Sequence, residues 1–295
     1  MDDVIKYAET AGAQVICGEP MNRHTTFRIG GKAKYFVIPR DEECLRAILC
    51  FLTDNDIKTY IIGNGSDLVI SDSGIDGAVI SMAEFDDIEV RGETMICSAG
   101  APLSKVCLAA EAAGLTGLEF AYGIPGTVGG AIYMNAGAYG GEMKDAVTCV
   151  KHVSADGYGQ YDSSQLDFGY RHSAYTDTNF VITQAVLNLK RSDPQQIRAR
   201  MDELLTRRKS RQPLEYPSAG SVFKRPEGHF AGELIQSCGL KGKTIGGAQV
   251  SEKHAGFIIN IGGATSADVK KLVEVIKREV LEKTGVELEC EIKFI

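Results

Sequence analysis

Two segments concentrate glycine among polar side chains. The first, Gly63-Asn64-Gly65-Ser66-Asp67-Leu68, follows the apolar run KTYII at 58–62. The second, Gly123-Ile124-Pro125-Gly126-Thr127-Val128-Gly129-Gly130, lies in a glycine-dense stretch from Gly114 to Gly141 that continues through Asn135-Ala136-Gly137. Without a Cβ, glycine lets the backbone approach a bound group and turn successive N–H groups toward an anion. One such loop is an ordinary turn composition; two can grip the two phosphates of one dinucleotide. Neither is the usual fingerprint, because Leu68 stands at the third glycine position of GxGxxG and no GxxxxGK[ST] P-loop occurs. A doubly wound nucleotide fold and kinase-type chemistry therefore lose support.

Three further positions could act on a bound substrate. Arg171, in Tyr170-Arg171-His172-Ser173, carries a guanidinium that stays charged and can clamp a carboxylate with two parallel bonds. Most arginines are solvated surface groups, and residue type alone favours that reading. Glu289-Cys290-Glu291 lies near the end of the chain; strand alternation puts both glutamates on one face, so spacing does not choose between them. Ser221, in Pro-Ser-Ala-Gly-Ser, is by composition a turn residue, and its hydroxyl is a poor acid in water. No hydrolase constellation assembles, since GxSxG is absent and no cysteine neighbours a plausible base. The five histidines (24, 152, 172, 229, 254) and eight cysteines lack metal-site spacing, so no metal is assigned.

The elements that must position these residues follow from periodicity. Residues 34–38 and 58–62 read as buried strands, and Asp41–Asp54 between them spaces Cys44, Leu45, Ile48, Leu49 and Leu52 as one helical face capped by Asp41. Short strands follow near 77–80, 88–91 and 94–98, then a helix from Pro102 to Ala113 ended by Gly114. Strands at 147–154 and 180–189 precede a boundary near Arg191, after which Asp193-Pro194 opens a helix to about Ser210. The last third predicts a helix near 232–238, a strand at 256–260, a helix at 266–283 and a final strand at 286–294. The expected class is α+β, and no repeat of ~20 to 50 residues is visible.

With 295 residues, the chain exceeds the ~250 to 300 at which a single core stops growing, so two or three subdomains are expected. Its formal charge of −7 is spread along the chain with no basic stripe, which argues against nucleic acid as a partner. The start carries Asp2, Asp3 and Glu9 where a signal peptide needs positive charge, and no run is apolar for the ~20 residues of a membrane span. Membrane insertion is not expected. Cysteines inside apolar runs such as MICSAG suit a reduced, cytoplasmic setting. Oligomeric state has no local signature.

The motifs HTTFRIGGKAKYFVIP, GNGSDLVISD, GIPGTVGGAIYMNAGAYGGE, YRHS, AGSVFKRP, GLKGKTIGGAQVSEKHAGFIIN and LECEIKF occur in this order over nearly the whole chain. The set resembles the UDP-N-acetylenolpyruvoylglucosamine reductases. The resemblance implies an FAD-binding fold of the vanillyl-alcohol-oxidase (PCMH) type in two subdomains, expected at 1–80 and 81–191. A C-terminal α+β substrate-binding domain is expected at 192–285, with 286–295 returning to the first. It implies non-covalent FAD held by Gly63 to Asp67, Gly123 to Thr127, Gly129, Gly130 and Asn135 to Gly137, with NADPH as reductant and a UDP-sugar as substrate. It assigns Arg171 and Glu291 to stabilising an enolate and Ser221 to protonating it. Tyr170, Lys224, Arg225 and His254 fall on or beside substrate-contact positions of the family.

Two departures stand out. Cys290 replaces a proline of many members, and Lys293 an arginine, which keeps the charge but loses the two-pronged fork. Between Arg171 and Ser221 there is no room for the tyrosine-bearing loop of one subclass, so the chain resembles the compact one. Against this reading stand another flavin oxidase or dehydrogenase of the same fold, marked by rapid use of oxygen without NADPH, and a non-catalytic flavin or sugar-nucleotide binder.

Overall fold

The computed structural model describes residues 3–295. They form two compact units, each with its own hydrophobic core. The first comprises the chain up to Cys17, Tyr35–Asn64 and Gly77–Arg207, and the second Gly18–Lys34, Gly65–Asp76 and Arg208–Ile295.

The first unit opens with helix α1 (Asp3–Thr10) and helix α2 (Glu42–Asp54). Helix α2 starts where expected: the Asp41 carboxylate accepts from the Cys44 N–H at 2.8 Å, satisfying one of the orphan donors of the first turn. Its buried stripe is Cys44, Leu45, Ile48, Leu49 and Leu52. Each fully buried leucine or isoleucine contributes roughly 1.5–3 kcal/mol. A four-stranded sheet runs in the order Gln14–Pro20, Lys32–Ile38, Ile75–Ser81, Thr59–Ile62. Thr59–Ile62 pairs in parallel with Ala78–Ser81, as a strand–helix–strand unit requires.

A second sheet is wholly antiparallel, in the order Gly157–Asp162, Val147–Ser154, Val181–Asn188, Thr94–Ser98, Ile88–Arg91. Helix α3 (Leu103–Ala112) begins after Pro102 and stops before Gly114, whose φ of +67° a side chain would disfavour. Helix α4 (Val128–Tyr133) is short, and α5 (Pro194–Arg211) is the last helix to contribute to this unit. The unit extends to Arg207, past the boundary expected near Arg191, because Ile197 and Met201 of α5 pack into its core.

In the second unit, helices α6 (Ala231–Ser237) and α7 (Ser266–Thr284) accompany an antiparallel sheet ordered Ser218–Ser221, Phe257–Asn260, Ala248–Val250, Thr244–Ile245. Helix α7 is bounded by a reciprocal cap between Thr265 and Asp268 and by Gly285 at φ +73°. Its Val269, Leu272, Val273, Ile276 and Val280 enter a core shared with Phe27, Ile29 and Val69.

The expected strand at 286–294 is much shorter. Only Lys293–Phe294 pairs, in parallel with Leu68–Val69, and a single bridge joins Phe223 to Cys290. The segment changes partner along its length: Glu291 N–H donates to Val222 O at 2.8 Å, and Lys293 N–H to Asp67 O at 2.9 Å. No continuous ladder can form. Gln14–Pro20 and Gly157–Asp162 are strands that periodicity did not predict, since glycine interrupts both and proline ends the first. No described helix is long and apolar enough to cross a membrane.

Candidate active site

The first unit brings Gly63 and Asn64 against the second glycine segment. A Cβ on Gly63 would lie 2.3 Å from Thr127 Oγ1, and Asn64 Nδ2 donates to Pro125 O at 2.7 Å. The second segment is fastened from behind, where Val128 N–H donates to Ala101 O and Gly129 N–H to Ala99 O at 2.7 Å. Together the two loops border a cleft of 310 Å³ whose lining includes Gly63, Asn64 and Ile124 to Thr127. Gly123 precedes it, Gly129 and Gly130 lie in α4, and Asn135 to Gly137 follow that helix. Gly100, Ser104 and Lys105 also line it. Sequence reasoning missed them because they sit just before and in the first turn of α3, whose apolar spacing reads as core.

The rest of the first loop belongs to the second unit. Gly65 has φ +57°, and a Cβ there would fall 2.2 Å from His24 O. Only glycine meets both conditions. Burial pushes the Asp67 carboxyl above its usual range, and the charge of Lys293 opposes that shift.

Arg171 stands in a tight turn in which Gly169 and His172 exchange backbone hydrogen bonds. Its φ is +54°, a left-handed conformation that costs a non-glycine residue of order 1–2 kcal/mol. The guanidinium lies 4.9 Å from the ring centre of exposed Tyr170. Beneath the turn is Asn135, 1% exposed and itself at φ +40°. Its Nδ2 donates to Gly169 O at 2.9 Å and to Glu142 Oε2 at 3.0 Å, while its Oδ1 accepts from Lys144 N–H at 3.0 Å. Ser173 Oγ donates to Tyr133 O at 2.9 Å.

The segments that carry Ser221 and Glu291, distant in sequence, are joined in the second unit. Ser221 ends the strand Ser218–Ser221, paired with Phe257 after a register shift at Ala219-Gly220, where Gly220 has φ +77°. Such a bulge re-aims the side chain that follows it. The next residue, Val222, accepts from the N–H of Glu291 at 2.8 Å. Both Ser221 and Glu291 are half-buried. Glu289, by contrast, is exposed and paired with Lys224, so packing separates the two glutamates that alternation could not. Arg225 lies over Phe230, 4.0 Å from the ring centre.

Residues 33–159 match an FAD binding domain, and residues 212–295 match the C-terminal domain of UDP-N-acetylenolpyruvoylglucosamine reductase. The chain is 47% identical over 282 residues to the UDP-N-acetylenolpyruvoylglucosamine reductase of Clostridium botulinum (strain Hall), spanning 95% of this chain and 92% of that protein. The chain belongs to the UDP-N-acetylenolpyruvoylglucosamine reductase family. The reductase of Caldanaerobacter subterraneus is 48% identical over 94% of this chain and 92% of its own length. The crystal structure of the Thermus caldophilus reductase superposes with a TM-score of 0.81 at 35% identity, covering 96% of this chain and 98% of that one. More distant likeness, to the glucose dehydrogenase Phl p 4 (14% identical, TM-score 0.51), covers 65% of this chain and concerns fold alone. The fold is thus the expected FAD-binding type with the reductase family's C-terminal domain, and the chain is a flavin-dependent oxidoreductase.

Both glycine loops of this reductase fall inside the FAD-binding match. The cleft they border fits a pyrophosphate: the N–H groups of Asn64, Gly126 and Thr127 have no hydrogen-bond acceptor among the described residues, and a Cβ at Gly63 would fill the cradle. Lys105, ion-paired to Asp86 at 3.4 Å, brings a cation to the rim. Among the described residues no group of three His, Cys, Asp or Glu side chains is placed to hold a metal ion.

His254, expected on or beside a substrate contact, lies in the second unit. Its Nδ1 accepts from Gly256 N–H at 3.1 Å, and its ring packs edge-on to Phe257. Burial, with the charge of Lys241 adding to it, holds the imidazole below the usual histidine range, so the ring is neutral at pH 7 and offers a substrate an Nε2–H rather than a full charge. An NMR titration should place its midpoint below the ~6.5 of a free histidine. Because the folded value is the lower one, its contribution to stability is full above pH ~6.5 and is lost as pH falls through the folded value. A midpoint at or above 6.5, or equal acid sensitivity in His254→Asn, would contradict this.

Proposed function

We propose that this reductase converts UDP-N-acetylglucosamine enolpyruvate to UDP-N-acetylmuramate with NADPH as reductant. The observation that carries the reading is the junction of the Ser221 and Glu291 segments, held by the hydrogen bond from Glu291 N–H to Val222 O at 2.8 Å. It joins, within one unit, the two segments that carry a hydroxyl and a carboxyl, the groups a carbanion needs for protonation and stabilisation. The glycine loops would hold FAD, which would supply the hydride-transfer chemistry that links NADPH to the terminal carbon of the enolpyruvyl ether.

The chain's own groups manage the charge that results. Hydride at the terminal carbon turns it into a methyl group and leaves an electron pair shared between the adjacent carbon and its carboxylate. Arg171 clamps that carboxylate, and its strained, tethered turn supplies a preorganised cation. Glu291 stabilises the enol form by hydrogen bonding, and Ser221 gives its proton to the adjacent carbon, completing the lactyl ether. Tyr170, Lys224, Arg225 and neutral His254 contact the sugar nucleotide. A cytoplasmic setting agrees with eight cysteines that are all unpaired.

The test is a two-step anaerobic titration of the purified flavoprotein. NADPH should bleach the flavin absorbance, and the enolpyruvyl sugar nucleotide should restore it with formation of UDP-N-acetylmuramate. Bleaching without restoration by that substrate would leave the fold intact and overturn the substrate. Rapid reoxidation by oxygen alone, with no need of NADPH, would instead mark an oxidase of the same fold.

A further inference from the structure

The turn that carries Arg171 is tied down more heavily than a surface turn requires. Both of its ends are held by residues at the C-terminal end of helix α4. On one side Asn135 Nδ2 binds Gly169 O, and on the other Ser173 Oγ binds Tyr133 O. Asn135 and Ser173 are buried at 1% and 0% exposure. A buried amide is costly unless satisfied, and Asn135 spends both donors and an acceptor within this one cluster. Asparagine is also the residue, after glycine, that best tolerates its φ of +40°.

Glu142 is the second part of the device. Its Oε2 receives Asn135 Nδ2 at 3.0 Å and Lys144 Nζ at 2.7 Å, and its own N–H donates to Asp145 at 2.9 Å, so neither its backbone nor its carboxylate is free to swing. The Lys144 hydrogen bond chiefly, then Asn135, and more weakly the charges of Lys144 and Arg171 hold the Glu142 carboxyl below its usual range. The two glutamate neighbours, Asn135 and Lys144, are in turn joined by the bond from Lys144 N–H to Asn135 Oδ1.

We infer that Asn135 and Glu142 are positioning residues for Arg171, Asn135 by fixing the turn at Gly169 and Glu142 by holding the Asn135 amide in place. Asn135, expected among the cofactor contacts, directs its side chain into this cluster. The inference rests on Arg171 being the carboxylate clamp. It also links the site to the cofactor loop, because α4 starts at the Thr127–Val128 segment beside the cleft and ends on the residues that hold the turn.

The test measures both half-reactions in the FAD-loaded full chain for Asn135→Gly, Glu142→Gln, Arg171→Ala and the Asn135→Gly/Arg171→Ala pair. Glycine keeps the left-handed backbone while removing the tie. Asn135→Gly should slow substrate-driven flavin reoxidation about 10- to 100-fold, with bound FAD and the rate of reduction by NADPH within about 2-fold of wild type. Glu142→Gln should act in the same direction, about 3- to 10-fold, chiefly through KM for the enolpyruvyl substrate. In the Arg171→Ala background, Asn135→Gly should add no further loss, since it acts through that arginine. If Arg171→Ala reoxidises normally, the clamp reading falls and the inference with it. If Arg171→Ala is slow but Asn135→Gly and Glu142→Gln are normal, only the inference falls. Equal losses in both half-reactions, or a full additional loss in the double variant, would also overturn it. Should Asn135→Gly not fold, Glu142→Gln is judged by the same criteria.

Discussion

Ser221→Ala is expected to bind FAD and to be bleached by NADPH at the wild-type rate, yet to be reoxidised by the enolpyruvyl substrate some 10²- to 10⁴-fold more slowly. That is the usual range for loss of a positioned acid. The two half-reactions separate because the proton is needed only after hydride has left the flavin. The substitution should do little to the fold: the Ser221 hydroxyl makes no hydrogen bond among the described residues, and the bulge that aims it is built by Gly220 and by backbone pairing with Phe257. Stopped-flow absorbance gives both rates. Normal reoxidation would remove Ser221 as the proton donor, and loss of FAD would reassign it to structure.

The second large effect is on stability. Gly100→Ala would place a Cβ 1.8 Å from Met82 O and 2.9 Å from Phe85 O, both backbone atoms, while Gly100 N–H is itself bonded to Phe85 O at 2.8 Å. No side chain can rotate out of the way, so the loop must move. Overpacking typically costs about 1–3 kcal/mol and more when backbone is displaced. At roughly 2–4 °C per kcal/mol for a chain of this class, the melting temperature should fall by about 6 °C or more, with weakened FAD retention. Gly92→Ala is the control. Among the described residues nothing lies within 4 Å of a Cβ there, so it bears only the left-handed penalty at φ +66° of about 1–2 kcal/mol. Equal melting of the two variants would show that the contact at Gly100 relaxes freely. Gly63→Ala falls between them, since its clash is with the Thr127 hydroxyl, and it should show in flavin affinity before stability.

Much of the secondary structure is legible in the residues. The stripe of α2, its Asp41 cap, the strands at 88–91, 94–98 and 147–154, and the Thr265–Gly285 limits of the last helix each follow from local periodicity and capping, which depend on neighbours a few residues away. The strands at Gln14–Pro20 and Gly157–Asp162 are not legible, because their pairing partners, rather than their own weak propensity, make them strands. The end of the chain errs the other way. Its residues read as one strand, and only the succession of partners from Val222 to Asp67 shows that it is not.

The site divides along the same line. From the order of its motifs the sequence by itself determines the family, the flavin, and Arg171, Ser221 and Glu291 as candidates, since residue identity at spaced positions is a local record. Tertiary structure alone distinguishes exposed, ion-paired Glu289 from half-buried Glu291, holds the His254 imidazole below the usual histidine range by burial, and directs the Asn135 amide to the Arg171 turn. Burial, charge state and hydrogen-bond partners are properties of what packs against a residue, and those neighbours come from distant parts of the chain.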